Sequence, residues 1–389
     1  MSQAAKSDTI TKRVRLYYVD WIRVLAILTA FLFHNMRFFD FGPWHVNNSE
    51  TSLGSTIFVS FIVQWMMPLF FIVSGAAVYF SLMTRKSGGF IKDRLLRILI
   101  PLGVIGVFVF APPQVYLERL TNGEFTGSFL QFFPHYFKGL YGFGGNFAFH
   151  GMHLWYLMDL FIFSLILLPL FLPQGNTGES IVSRLAKSIN KLWSLLLLFV
   201  PLAAVAILAD KIGLGFTKQM GGWDMLSYLL FFTYGYIIVS NTRIQDLIKK
   251  NCTITLVVAL LLSILDLYFE YGIELPHLFS VWMGILTLRA LIAWCWIITI
   301  LGFGSRFLDF NNRFLGYANE AVLPFYIQHQ TIILIIGFFV VPLSMGIAPK
   351  YLIISTTSFI AIIAIYELLV RRINIIRFLF GMRLREKAQ

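Results

Sequence analysis

Long apolar segments separated by short polar ones run along the whole chain. Most of them are near the length of about 20 residues that an α-helix needs to cross the hydrocarbon core of a bilayer. They are too continuous to be barrel strands, in which apolar and polar positions alternate. The pattern predicts ten transmembrane helices, at roughly 17–39, 56–82, 98–116, 152–172, 193–209, 222–240, 252–270, 279–304, 316–340 and 351–370.

The composition agrees with an all-α, polytopic membrane bundle. Hydrophobic residues make up 58% of the 389 positions and charged residues only 13%, about half the charged fraction of soluble domains. The first apolar segment has no small-residue cleavage pattern, so we expect it to remain as a span rather than be removed as a signal. Cys252 and Cys295 both fall in apolar segments, which predicts no disulfide. We find no internal repeat and interpret residues 1–389 as a single membrane domain.

The charge distribution predicts the topology. A net charge of +12 would suit nucleic acid, but most of the 31 Lys and Arg residues fall on one side of the predicted spans, in the tails 1–16 and 371–389 and in alternate loops. This positive-inside asymmetry indicates that both termini are cytoplasmic, in a multi-pass protein of the plasma (inner) membrane whose partner is lipid, not nucleic acid. Segment 117–151, rich in aromatic residues and glycine, is the longest outer loop. The outer segments hold six basic residues, Arg37, Arg119, Lys138, Lys211, Lys218 and Lys350.

Arg23 and His34 stand out in the first span because charged and ionisable residues there suggest function. Ten residues separate them, so they share a helix face within about 20° and lie about 16 Å apart along the axis. Asp20 is placed to pair with Arg23. An imidazole can act as a general base on a hydroxyl, and a guanidinium suits phosphate. Alternatively, Arg23 snorkels to the headgroups and His34 makes a structural interhelical hydrogen bond.

Several motifs in order along the chain resemble the acyltransferase-3 family of membrane acyltransferases. The Arg-His pair at a spacing of ten intervening residues is similar to the family signature in the first span. Three further segments resemble the second span with its Ser-Gly step, the basic inner loop that follows and the late span with a Tyr and a His. They are "FFIVSGAAVYFSL" from Phe70, "KDRLLRILIP" from Lys92 and "AVLPFYIQHQTIIL" from Ala321.

A further segment, "HLWYL" at 153–157, resembles the family's His-Leu-Trp element. The branch that acts on O-antigen and peptidoglycan usually has a Glu a few residues later, whereas this chain has Met158 and Asp159. The resemblance is therefore nearer the branch that succinylates periplasmic glucans.

The resemblance implies a membrane O-acyltransferase. It would move an acetyl or succinyl group from a cytoplasmic donor, acyl-CoA, to a hydroxyl of an extracytoplasmic carbohydrate or glycan. Acyl-CoA would be a co-substrate, and no bound cofactor is implied. His34 would be the general base and Arg23 would face the donor, while Lys92, Arg94 and Arg97 would bind the donor's phosphates. Whether the acyl group is first transferred to the enzyme is left open.

Two further span residues are candidates for substrate binding. Arg289 lies near mid-bilayer in the eighth predicted span. It either pairs structurally with Asp159 or Glu367, or recognises an anionic acyl group such as succinyl. His329 follows Pro324, an expected kink, and either binds substrate or makes a polar interhelical contact.

The fourth predicted span begins with His153, Trp155 and Tyr156, beside the glycine-rich outer loop. They form either part of an interfacial aromatic belt or a surface on which an acceptor sugar stacks. The remaining histidines, His45, His135, His150 and His277, show no spacing typical of metal ligands, and we predict no metal site.

Two other functions remain open on the sequence. A secondary transporter would also have about ten spans and an intramembrane arginine, although we find no paired halves with matching interrupted helices. The other alternative is a non-catalytic relative that binds an acyl donor or a lipid.

Overall fold

The computed structural model describes residues 15–173, 180–213, 221–274, 276 and 278–385. In these ranges most of the chain is helical, and the only β pairing is an isolated bridge between Leu140 and Phe147. The α-helices are α1 (Tyr17–Met36), α2 (Leu53–Val63), α3 (Met66–Leu82), α4 (Ser87–Arg94), α5 (Ala111–Thr121), α6 (Phe129–Tyr136), α7 (Trp155–Ile166), α8 (Leu168–Phe171), α9 (Ile181–Ala186), α10 (Leu192–Leu196), α11 (Phe199–Lys211), α12 (Met225–Ser240), α13 (Thr242–Tyr271), α14 (Phe279–Phe307), α15 (Arg313–Val340), α16 (Ile347–Ile365) and α17 (Asn374–Leu379).

The helices confirm the predicted membrane bundle. Eight helical runs within the described residues are long and apolar enough to cross a bilayer, with mean hydropathy between 1.3 and 2.6. Two shorter apolar helices, Met152–Ile166 and Met225–Ser240, coincide with the fourth and sixth predicted spans. Each of the ten predicted spans therefore corresponds to an apolar helix or helical run.

The third span differs from a plain α-helix. The chain is helical from Ser87 to Thr121, but Leu95–Leu99 and Pro101–Phe110 are π-helical. Prolines contribute to this irregularity because they lack the N–H that an α-helix needs. The carbonyl oxygen of Phe110 accepts hydrogen bonds from Gln114 Nε2 at 2.9 Å and from Thr331 Oγ1 at 2.8 Å. Long π-helical segments are rare and frequently mark functional sites.

Helix α1 lies in the middle of the bundle. It packs against α3, α14 and α15, and half of its residues are buried. We call the end of the bundle at which α1 begins the inner end, and the end at which it finishes the outer end. The first predicted span is therefore a core helix rather than a peripheral anchor.

Helices α3 and α12 approach each other closely through two glycines. A Cβ atom at Gly75 would lie 1.8 Å from the carbonyl oxygen of Phe232, and one at Gly235 would lie 1.9 Å from that of Ile72. Such contacts are possible only without a side chain, as in other membrane helix pairs joined through small residues. Gly75 belongs to the Ser-Gly step of the second predicted span, so that step fixes a helix crossing.

Segment 117–151 folds into a compact cap at the outer end. It comprises the last turn of α5, the amphipathic helix α6 and the turn joined by the Leu140 and Phe147 bridge. Phe132 and Tyr136 of α6 are buried in a small apolar cluster of their own. The predicted outer loop is thus an ordered, aromatic structure that lies over the end of the third span.

Candidate functional site

Three histidines from different parts of the chain meet inside the bundle. His34 is in the last turn of α1, His329 is in the middle of α15 and His153 lies just before α7. The ring of His329 is 5.0 Å, centre to centre, from each of the other two rings. His329 and His153 are buried, whereas His34 keeps some accessible surface. Of the three, His34 has the most accessible surface.

The hydrogen bonds fix the roles of the ring nitrogens in this cluster. His329 Nδ1 lies 2.7 Å from the carbonyl oxygen of Tyr326 and must donate to it, so its Nε2 is an acceptor. His34 Nδ1 lies 2.8 Å from the carbonyl oxygen of Ala30 and 3.2 Å from His329 Nε2. Both neighbours are acceptors, so His34 carries its proton on Nδ1. Its Nε2 makes no hydrogen bond within the described part of the chain and has the lone pair that a general base needs.

His153 is held by hydrogen bonds to glutamine side chains and to Tyr326. His153 Nε2 donates to the carbonyl oxygen of Tyr326 at 3.1 Å, and Gln114 Nε2 lies 3.2 Å from His153 Nδ1. Gln114 Oε1 in turn accepts from Gln330 Nε2 at 3.0 Å, and Tyr326 donates its hydroxyl to the carbonyl oxygen of His153 at 2.6 Å. Because these buried polar groups are hydrogen-bonded to one another, the network holds the side chains of His153, Gln114 and Tyr326 in fixed orientations.

The sequence-based prediction missed Gln114 and the meeting of the three histidines. Gln114 is a polar residue directly after two prolines in an apolar span, and polar residues inside spans indicate function. The three histidines meet because segments that are far apart in the sequence pack together, and the spacing of residues along the chain does not reveal this packing.

Two arginines at the inner part of the bundle, Arg23 and Arg94, interact electrostatically. Arg23 pairs with Asp20, Nη1 to Oδ1, at 3.6 Å, which confirms the predicted pair. Arg94 stacks on Phe90, and its Nε is buried without a hydrogen-bond partner among the residues that the structure describes. The positive charge of Arg94 is close enough to Arg23 to repel it. Arg94 has the unsatisfied donor, and Arg23 shares the Asp20 carboxylate with Arg15, which lies closer to it at 2.7 Å, so positive charge remains here to bind an anion.

The two other residues predicted to bind the donor, Lys92 and Arg97, have surroundings unlike those of Arg94. Arg97 pairs with Asp93 at 2.8 Å, and Lys92 is exposed. Arg94 is the last residue of α4, whereas Arg97 lies in the first π-helical segment. Arg94, by contrast, interacts electrostatically with Arg23.

Tyr156 forms the wall between the arginines and the histidines. Its ring packs against Phe71 and Tyr326, with centres 5.0 and 5.7 Å away. Its hydroxyl group bonds to Ser74 of the Ser-Gly step, and it interacts electrostatically with both Arg23 and Arg94. The structure therefore places Tyr156 inside the bundle and not in an interfacial belt.

The neighbouring aromatic residue is similarly packed. The Trp155 ring lies beside those of Phe71 and Tyr228 at 6.3 and 5.5 Å, and it is half-buried. His153, also predicted at the outer interface, belongs to the buried cluster. None of the three residues forms an open stacking surface.

The predicted partners of Arg289 were wrong. Arg289 Nε pairs with Asp266 at 2.9 Å and Nη2 pairs with Glu270 at 2.9 Å. Asp266 and Glu270 lie on α13, which packs along α14, whereas Glu367 pairs with Arg371. The sequence offered no means of choosing among these acids, because the choice depends on which helices are adjacent.

The structure gives no indication of a metal-binding cluster in the part that it describes. No group of three His, Cys, Asp or Glu side chains there could hold a metal ion. His277 lies outside the described residues.

The comparison with known families assigns the class of this membrane protein. A family model described as an acyltransferase domain matches residues 16–367. The chain therefore belongs to the acyltransferase-3 family and is a multi-pass membrane acyltransferase. Arg23, His34 and the motifs that resembled this family all lie within the matched residues.

The curated relatives include a protein of glucan synthesis. Glucans biosynthesis protein C of Escherichia coli strain K12 is 24% identical over 348 residues, which cover 84% of each chain. The proteins of the same name from E. coli strains 536 and SMS-3-5 match to the same extent. No solved structure matches the chain.

Proposed function

We propose that this protein transfers an acyl group, acetyl or succinyl, from a cytoplasmic acyl-CoA to a hydroxyl of an extracytoplasmic glycan, with His34 as the general base. The observation that carries the proposal is the state of His34. Its Nδ1 is held by Ala30 and His329, which leaves Nε2 to remove the proton of the acceptor hydroxyl as the oxygen attacks the thioester carbonyl; the C–S bond then breaks, and CoA takes up that proton and leaves as the thiol. A glycan acceptor is supported by the name of the glucan biosynthesis relatives.

The arginines support the position of the donor. Arg23 lies about three helical turns inward from His34 along α1, Arg94 interacts electrostatically with it, and the positive-inside rule places this end of the bundle in the cytoplasm. In this proposal they bind the phosphates of the donor, and the acyl arm passes Tyr156 to reach His34. His329 and His153 act as positioning residues for His34. The protein would lie in the inner membrane with both termini cytoplasmic.

Purified protein tests this function directly. An acyltransferase consumes an acyl thioester and labels a glycan hydroxyl without any ion gradient, whereas transport of a solute needs sealed vesicles. Mass spectrometry of surface glycans should also show one acyl mass lost when the gene is deleted. Unchanged glycans together with no thioester turnover would refute the proposal.

Replacing Arg94 by Gln should raise the KM for acyl-CoA about tenfold or more and leave kcat nearly unchanged, because a charged contact to a phosphate is lost. An acyl-pantetheine donor that lacks the nucleotide phosphates should be used equally well by the variant and the wild type. Arg243→Gln is the matched control, since Arg243 is an exposed arginine of the inner end. Equal losses with both donors would mean that Arg94 does not bind the nucleotide.

A further inference from the structure

A cavity of about 470 Å³ opens at the outer end, and its lining includes none of the three clustered histidines. It lies between α2, α13 and α14 and is bounded by the loop before α12. Its volume is within the range of about 300–1,000 Å³ that is typical of small-molecule sites. Its walls combine Phe41, Trp223, Trp282 and Tyr271 with polar side chains.

The floor of the cavity is a hydrogen-bonded polar network. Gln64 Nε2 donates to Asp266 Oδ2 at 3.0 Å, and Ser263 donates to Gln64 Oε1 at 2.7 Å. The other oxygen of Asp266 holds Arg289. Buried polar groups in a membrane protein are costly unless they are hydrogen-bonded. Because these groups bond to one another, the network is a stable part of the bundle.

The two arginines that line the cavity are each paired with a carboxylate, and the lining holds four acids in all, Asp40, Asp224, Asp266 and Glu270. Arg289 is compensated by Asp266 and Glu270, and Arg37 is paired with Asp40. No guanidinium is left with an uncompensated charge to hold an anion, and the carboxylates would repel one. Paired acids, amides and flat aromatic rings are instead the groups that bind a neutral polyol, through hydrogen bonds and stacking on its apolar face.

A short segment of chain connects this cavity to His34. Residues 37–44 follow α1, and the Arg37 guanidinium closes the segment by donating to the carbonyl oxygen of Pro43 at 2.8 Å. Arg37 and Gly42 line the cavity, while the ring of Trp44 lies 6.3 Å from the His34 ring. One segment thus contributes to the cavity and to the surroundings of the proposed base.

We propose that this cavity is an acceptor subsite for a neutral sugar residue, linked within the same glycan to the residue that is acylated at His34. The proposal rests on the proposed function, since it names where the acceptor of that reaction is held. Trp282 provides the stacking surface at the mouth of the cavity, and the floor network receives the sugar hydroxyls. The notion that Arg289 recognises an anionic acyl group is not favoured by its two carboxylate partners.

The test measures binding of two probes to the purified full-length protein. A neutral gluco-oligosaccharide should bind, and an oligoglucuronate of the same length should bind much more weakly. Trp282→Ala should weaken binding of the neutral probe about tenfold, the usual scale for truncating a central aromatic contact, and Trp282→Phe should restore most of it. Trp193→Ala is the control, because Trp193 is 60% exposed and lies at the inner end.

The same variants separate this inference from the proposed function. If Trp282→Ala raises the KM for the acceptor and not that for the thioester, the subsite is supported. If oligoglucuronate binds better than the neutral probe, or if Trp282→Ala behaves like Trp193→Ala, the subsite is refuted even when transfer proceeds normally. If the neutral probe binds in a way that depends on Trp282 but no acyl transfer is ever detected, the proposed reaction is refuted, while the carbohydrate site is still supported.

Discussion

Replacing His34 by Ala should reduce acyl transfer by about 10²–10⁴-fold, the range over which general-base catalysis contributes. His34 is the histidine of the buried cluster that has both accessible surface and a ring nitrogen without a hydrogen bond in the described chain. The loss should appear in kcat, because the arginines that face the donor are untouched. Steady-state turnover of a labelled acyl thioester, with and without a glycan, measures it.

The control for this variant is another histidine at the outer end. His135 is exposed on α6 and its ring bonds to the carbonyl oxygen of Gln131 in the same helix, so His135→Ala should leave turnover unchanged. Both variants should elute and melt like the wild type in detergent. Normal turnover by a well-folded His34→Ala protein would remove His34 from the chemistry.

Replacing Gly75 by Ala should destabilise the bundle by about 1–3 kcal/mol, the usual cost of overpacking. The new methyl group would meet the carbonyl oxygen of Phe232 at 1.8 Å, so α3 and α12 would have to separate. Ser74, which adjoins Gly75, holds Tyr156, and the separation would therefore also disturb the wall between the arginines and the histidines. Thermal unfolding followed by size-exclusion chromatography should show a lowered melting temperature.

The matched control for Gly75 is also a helix glycine. A Cβ atom at Gly284 in α14 meets nothing within 4 Å, so Gly284→Ala should be neutral or slightly stabilising, since alanine favours the helix. If the two variants melted at the same temperature, the close crossing of α3 and α12 would not be a determinant of stability.

The sequence predicted the spans because each depends on a local property. A bilayer selects segments by length and hydropathy, and the ten apolar segments appear as apolar helices or helical runs. The pair Arg23 and Asp20 could be predicted for the same reason, since residues three apart on one helix meet wherever that helix packs.

What could not be predicted depends on packing between distant helices. His34 and His329 are 295 positions apart and meet only because α1 lies against α15. Arg289 pairs with carboxylates of α13 because α13 packs against α14. Hydropathy along the chain does not indicate which helices pack against each other. The π-helical third span was missed because π-helices lack a distinct pattern of apolar residues.

The most direct test of the account separates donor and acceptor by a membrane. Protein is placed in sealed liposomes in one orientation, with a labelled acyl-CoA supplied at its inner end and a glycan at its outer end. The account predicts that the glycan becomes acylated and that the reaction needs no ion gradient. It also predicts that liposomes with the His34→Ala protein produce no acylated glycan. Acylation that occurs only when both substrates are on the same side, or that persists with His34→Ala, would contradict it.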